Sequence, residues 1–185
     1  MFKRFSIRTA YLTRPKGFTL VEMMVVVAIV AILAALAAPD FTRFIQRTEV
    51  NSARDSLEAS IFFARTEAIR TGAVTTVRPL CPGTLRPWDC GWQVTTGNTA
   101  PFTVLRQVEL GPGVGLAYAM GVGSTPPSNC PLPTKNYCTG PRGSIGNARF
   151  DIGAPKGTAT PEYGNSLCIS RGGRVRTVTT FGTCP

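Results

Sequence analysis

The 185-residue sequence has no histidine, no cysteine before Cys81 and no acidic residue before Glu22. Without histidine, the side chain most often used as a general acid or base near neutral pH is missing, as is the usual nitrogen ligand for zinc. The cysteines include no closely spaced pair of the kind that opens a zinc finger or ribbon, so no metal is expected. Carboxylates in the C-terminal part stand alone, and no nucleophile is flanked by a candidate base, so the chain reads as a non-enzyme without a cofactor. Gly111-Pro112-Gly113 is a turn signal rather than a phosphate loop, and no internal repeat is evident.

What the sequence does contain begins with a charge asymmetry. Residues 1–17 hold Lys3, Arg4, Arg8, Arg14 and Lys16 with no acidic residue, and between Phe18 and Ala38 only Glu22 is charged. Basic flanks stay on the cytoplasmic side of a membrane, so whatever follows the apolar run is expected to be exported. Residues 18–38 make a helix of roughly 31 Å at about 1.5 Å per residue, enough to cross a bilayer core. An ordinary secretory signal, cut near Ala35-Leu36-Ala37, is the alternative. The run is too long for its apolar region, and a carboxylate in hydrocarbon costs roughly 2.5 to 3.5 kcal/mol. Glu22 therefore implies a function and a partner.

The stretch Lys16-Gly17-Phe18-Thr19-Leu20-Val21-Glu22, followed by a long Val/Ala/Ile/Leu segment, resembles the N-terminus of type IV prepilins and type II secretion pseudopilins. The resemblance implies cleavage between Gly17 and Phe18 by the prepilin peptidase and methylation of the new Phe18 amine. It also implies single-pass residence in the bacterial inner membrane with the head in the periplasm, then assembly with other pilins or pseudopilins into a filament. Glu22 would face the α-amine of a neighbouring subunit and set helix register.

Pro39 is expected to bend the helix without ending it. Beyond it, Val50, Ala53, Leu57, Ile61, Ala64 and Ala68 recur at three- and four-residue spacing, an apolar stripe, and Gly72 is a natural stop. From residue 73 the pattern changes to short alternating runs with frequent Gly and Pro. Strands are expected over 73–78, 91–95, 102–110, 115–119, 148–152, 166–170 and 174–181, with a long loop over 121–146 that is stapled rather than packed. The expected organisation is a cleaved leader (1–17), the transmembrane half of a helix (18–39), its amphipathic half (40–72) and a β head (73–185). The fold class is α+β and pilin-like, a long N-terminal helix packed on an antiparallel β-sheet head with disulfides.

All six cysteines, Cys81, Cys90, Cys130, Cys138, Cys168 and Cys184, follow the apolar segment, in keeping with an oxidising compartment. Six cysteines allow about 15 pairings, which the sequence leaves open; sequential pairing closes short loops consistent with hairpins.

Ala64-Arg65-Thr66-Glu67-Ala68-Ile69-Arg70, Gly91-Trp92 and a late Gly-Arg resemble the GspH/FimT group of minor pilins and minor pseudopilins. Glu67 and Arg70 are spaced to pair on a helix surface, and Trp92 reads as a core aromatic.

Charge is distributed unevenly. The formal net charge of +10 falls to +5 once the five leader cations are removed, and residues 135–185 hold seven basic side chains against two acidic ones. The densest segment is Arg171-Gly172-Gly173-Arg174-Val175-Arg176-Thr177. On a strand, Arg174 and Arg176 project from one face about 6 to 7 Å apart, near the spacing of successive phosphates. Guanidinium groups donate paired hydrogen bonds to phosphate, the Thr177 hydroxyl can add another, and Gly172 and Gly173 leave backbone N–H groups open to an anion. The segment resembles the Gly-Arg-x-Arg motif with which some FimT-type minor pilins bind DNA in natural transformation. That resemblance nominates Gly173, Arg174 and Arg176 as contacts to double-stranded DNA, with Arg171 and Thr177 beside them. The alternatives are a solubilising hairpin on a structural minor pilin and a type II secretion minor pseudopilin without DNA binding.

Overall fold

The computed structural model describes residues 17–97, 100–120, 136–157 and 161–184; the side chains of 36–40 and of Met120 lie outside the described set. The chain divides into two compact units, Met1–Phe41 and Thr42–Pro185.

The described part of the first unit is the start of helix α1, Leu20–Thr71. Thr19 caps it: the Glu22 N–H donates to Thr19 Oγ1 at 3.2 Å, and the Met23 N–H donates to the Thr19 carbonyl at 3.2 Å. Thr19 and Glu22 stand in capping-box spacing, and a carboxylate in the first turn complements the helix dipole. Glu22 thus has a local role in starting the helix, separate from any role between subunits. Leu20, Val21, Met24, Val27, Ile32 and Leu33 are all more than 60% exposed, so this stretch presents apolar surface all round. Among the described residues no helix is long and apolar enough to cross a membrane. The apolar run of the sequence reaches Ala38, whereas the described side chains of that run end at Ala35. α1 stays helical through Pro39.

In the second unit the apolar stripe is buried as its spacing requires: Val50, Ala53, Leu57, Ile61, Ala64 and Ala68 are each at most 8% exposed. Glu67 and Arg70 pair on the surface of α1 through two hydrogen bonds, 2.6 and 2.9 Å. Gly72, at φ 65°, ends the helix in the left-handed conformation that glycine adopts without strain.

Among the described residues eight strands follow: β1 (Thr75–Pro79), β2 (Gly91–Thr96), β3 (Thr103–Glu109), β4 (Gly115–Met120), β5 (Tyr137–Thr139), β6 (Ala148–Ala154), β7 (Tyr163–Ile169) and β8 (Val175–Val178). They form two antiparallel four-stranded sheets, ordered β3-β2-β1-β5 and β4-β6-β7-β8, which with α1 make the expected α+β arrangement of a helix on an antiparallel head. The helix stripe shares one core with Val77, Trp92 and Val94 of the first sheet and Leu116, Phe150, Ile152, Leu167 and Ile169 of the second.

One correction concerns the loop expected over 121–146: residues 121–135 lie outside the described residues, and the described remainder contains β5. Tyr137, Cys138 and Thr139 are all buried, so this strand offers no alternation to read, and it pairs with β1 from Thr75 to Val77. Strand β8 also stops three residues short of the expected end at Phe181.

Cys81 is bonded to Cys90 and Cys168 to Cys184, with Cα atoms 5.9 and 5.8 Å apart. Cys138 is disulfide-bonded as well, and Cys130 lies outside the described residues.

Candidate nucleic-acid interface

The cationic segment forms the tip and outer strand of the β7–β8 hairpin. Register pairs Leu167 with Thr177, Cys168 with Arg176 and Ile169 with Val175. Leu167 and Ile169 are buried and Val175 packs against the core, so the alternation of the strand turns Arg176 to the opposite side. The tip is closed by the Gly173 N–H donating to the Ser170 carbonyl at 2.8 Å and the Ser170 N–H donating to the Arg174 carbonyl at 3.0 Å. Arg174 therefore sits where the turn enters β8, on the same side of the strand as Arg176. The Arg171 N–H donates to Asn147 Oδ1 at 2.7 Å, which ties the tip to the segment before β6. The Cys168–Cys184 disulfide ties the C-terminal tail back to β7 one residue from the turn end of the hairpin, opposite Arg176.

Arg171, Arg174, Arg176 and Thr177 are exposed. The ion pairs among the described residues are Arg43–Glu162, Arg54–Asp55, Arg70–Glu67 and Arg149–Asp151. Arg174 and Arg176 take part in none of them, and their charge faces solvent.

Gly173, at φ 82°, is required by its conformation, and the guanidinium of Arg65 from α1 lies where a Cβ on it would stand. This contact joins residues far apart in sequence, and sequence reading gave no sign of it. Arg65 also lies near Tyr137, whose phenol is pushed up by burial and by Tyr118 and drawn back down by the Arg65 charge.

The processing residues lie at the other end of the chain. Phe18 is 78% exposed, and among the described residues nothing lies within 4 Å of where a Cβ on Gly17 would stand. Nothing described within this chain demands glycine at that position.

A cavity of about 370 Å³ lies among Trp88, Asp89, Tyr118, Asp151, Pro155 and Phe181. Its two buried carboxylates are engaged internally: Asp89 Oδ1 accepts from the Leu116 N–H at 2.9 Å, and Asp151 accepts from Ser166 and Arg149. Among the described residues no group of three or more metal-ligating side chains is placed to hold an ion.

Residues 12–38 match the prokaryotic N-terminal methylation motif, and residues 53–180 match the family described as type II transport protein GspH. Fimbrial protein Q of Moraxella bovis is 32% identical over 116 residues, 59% of this chain and 65% of that protein. The type IV major pilin protein PilA of Myxococcus xanthus is 50% identical over 46 residues, 25% of this chain and 21% of that protein. The chain thus spans less than two thirds of either relative. In fold it is similar to the minor pseudopilin EpsH of Vibrio cholerae (TM-score 0.51, 16% identity, covering 71% of this chain and 97% of that one). It is similar also to the type IV minor pilin FimU of Pseudomonas aeruginosa (TM-score 0.50, 19% identity, covering 70% and 88%).

Proposed function

The chain belongs to the GspH family of type IV minor pilins and minor pseudopilins, and from that premise we propose that it is a minor pilin that binds extracellular duplex DNA through its C-terminal hairpin for uptake in natural transformation. The observation that carries this reading is the pair Arg174 and Arg176, exposed on one side of a disulfide-clamped hairpin and matched by no carboxylate among the described residues. Assembly into a filament with other pilins follows from the family.

In this proposal the prepilin peptidase cuts between Gly17 and Phe18 and the Phe18 amine is methylated. The apolar start of α1 holds the subunit in the inner membrane until assembly, where Glu22 meets the amine of a neighbour. The arginines then neutralise backbone phosphates, and filament retraction draws the duplex inward. Such contacts position a duplex without reading its bases, so affinity is independent of sequence and falls with salt.

A gel-shift titration against salt tests the reading, using the chain from Phe18 onward in a non-ionic detergent. Arg174→Ala with Arg176→Ala should weaken duplexes of all sequences alike, and wild-type affinity that ignores salt rejects DNA binding. The second reading, a structural minor pilin or type II secretion pseudopilin, is favoured by the description of the matched family. In cells the double variant separates the two. Lost transformation with intact pili supports DNA capture, and lost piliation supports a structural role.

A further inference from the structure

Arg65 stands where two arginine-bearing turns meet. Residues 140–143 are closed by the Gly143 N–H donating to the Gly140 carbonyl at 2.8 Å, and residues 170–173 by the Gly173 N–H donating to the Ser170 carbonyl at 2.8 Å. Both turns end on a glycine with positive φ, 71° at Gly143 and 82° at Gly173, and each carries an exposed arginine, Arg142 or Arg171. A Cβ on Gly143 would stand 3.3 Å from Arg65 Nε, and one on Gly173 would overlap the guanidinium. The Arg65 side chain therefore lies against both turns.

Arg65 is half-buried, and neither it nor Arg142 takes part in an ion pair among the described residues. Its neighbour Tyr137 is a neutral phenol at physiological pH. Partial exclusion of water around a cation strengthens its pull on an arriving anion.

We infer that Arg65 and Arg142 extend the hairpin's phosphate-binding surface, so that one nucleic-acid backbone is held by three separate chain segments. The inference rests on the DNA-binding reading above. The bare backbone at Gly173 leaves the Arg65 guanidinium room against the tip.

The salt dependence of binding counts neutralised phosphates and so tests it. For a duplex, the slope of log affinity against log salt shrinks by about 0.9 for each phosphate that is no longer neutralised. With the chain from Phe18 onward and a random-sequence duplex, Arg142→Ala and Arg65→Gln should each reduce the slope by about that amount, and Arg65→Lys should retain it. Arg106→Ala, on β3, should leave it unchanged. If both slopes stay at the wild-type value while the Arg174/Arg176 double variant lowers it, the extended surface is rejected and the hairpin site stands. A wild-type slope of zero rejects both. Should Arg65→Gln fail to fold, as judged by circular dichroism, Arg142→Ala on its exposed turn decides.

Discussion

Ser166 Oγ donates a 2.6 Å hydrogen bond to Asp151 Oδ1 across the β6–β7 pair, where the two residues stand directly opposite. Ser166 is fully buried and Asp151 6% exposed. The same hydroxyl oxygen accepts the Gly182 N–H at 2.9 Å, and Asp151 Oδ2 accepts from Arg149 Nε at 3.0 Å. One serine thus couples a buried carboxylate to the C-terminal tail. Ser166→Ala leaves a buried acceptor and a backbone donor short of a partner, and should lower stability by about 1 to 3 kcal/mol in urea unfolding.

Leu57 is fully buried at the centre of the helix stripe. Leu57→Ala should cost about 2 to 5 kcal/mol, the lost transfer energy plus a cavity. Phe62 lies on the same helix and is 44% exposed, so Phe62→Ala should cost much less in the unassembled chain. Equal losses in thermal unfolding would contradict the packing described.

The Cys168–Cys184 bridge closes a loop that spans β8. Replacing both cysteines with serine should cost about 2 to 4 kcal/mol, with partial loss of hairpin protection in hydrogen exchange. Under the proposed function, DNA affinity falls as well, because Arg174 and Arg176 lose their fixed spacing.

Burial raises the Tyr118 phenol from its ordinary 10.0 to about 12, and moves Tyr137 the same way. Unfolded tyrosines release their protons first as pH rises. The stabilisation is therefore complete below about pH 10 and is lost as pH climbs towards about 12. Urea midpoints measured across that window should fall for the wild type and fall less steeply for Tyr118→Phe.

The parts that were legible in the sequence are those governed by neighbours along the chain. The spacing of Val50 to Ala68 required one buried face, Gly72 supplied the stop, and Arg171-Gly172-Gly173-Arg174 marked a hairpin tip. The parts missed depend on partners distant in sequence. β5 is three buried residues with no alternation, and its place beside β1 is set by long-range pairing. The start of β7 was missed because Gly164 and Asn165 disfavour strands, yet they pair with Gly153 and Ile152. Arg65 read as one more charge on a helix face, and its position against Gly143 and Gly173 exists only once the turns are folded onto α1.

Strand β8 is the outer edge of its sheet and only four residues long. An open edge invites another strand to add to it, and the usual defences are brevity and positive charge. Arg174 and Arg176 supply the charge on the exposed side of this edge. Under the proposed function, heads crowded along a filament lie side by side without zipping into a continuous sheet, since two such edges repel before their backbones meet. Neutralising both arginines has a cost unrelated to any ligand: it leaves the edge open to self-association.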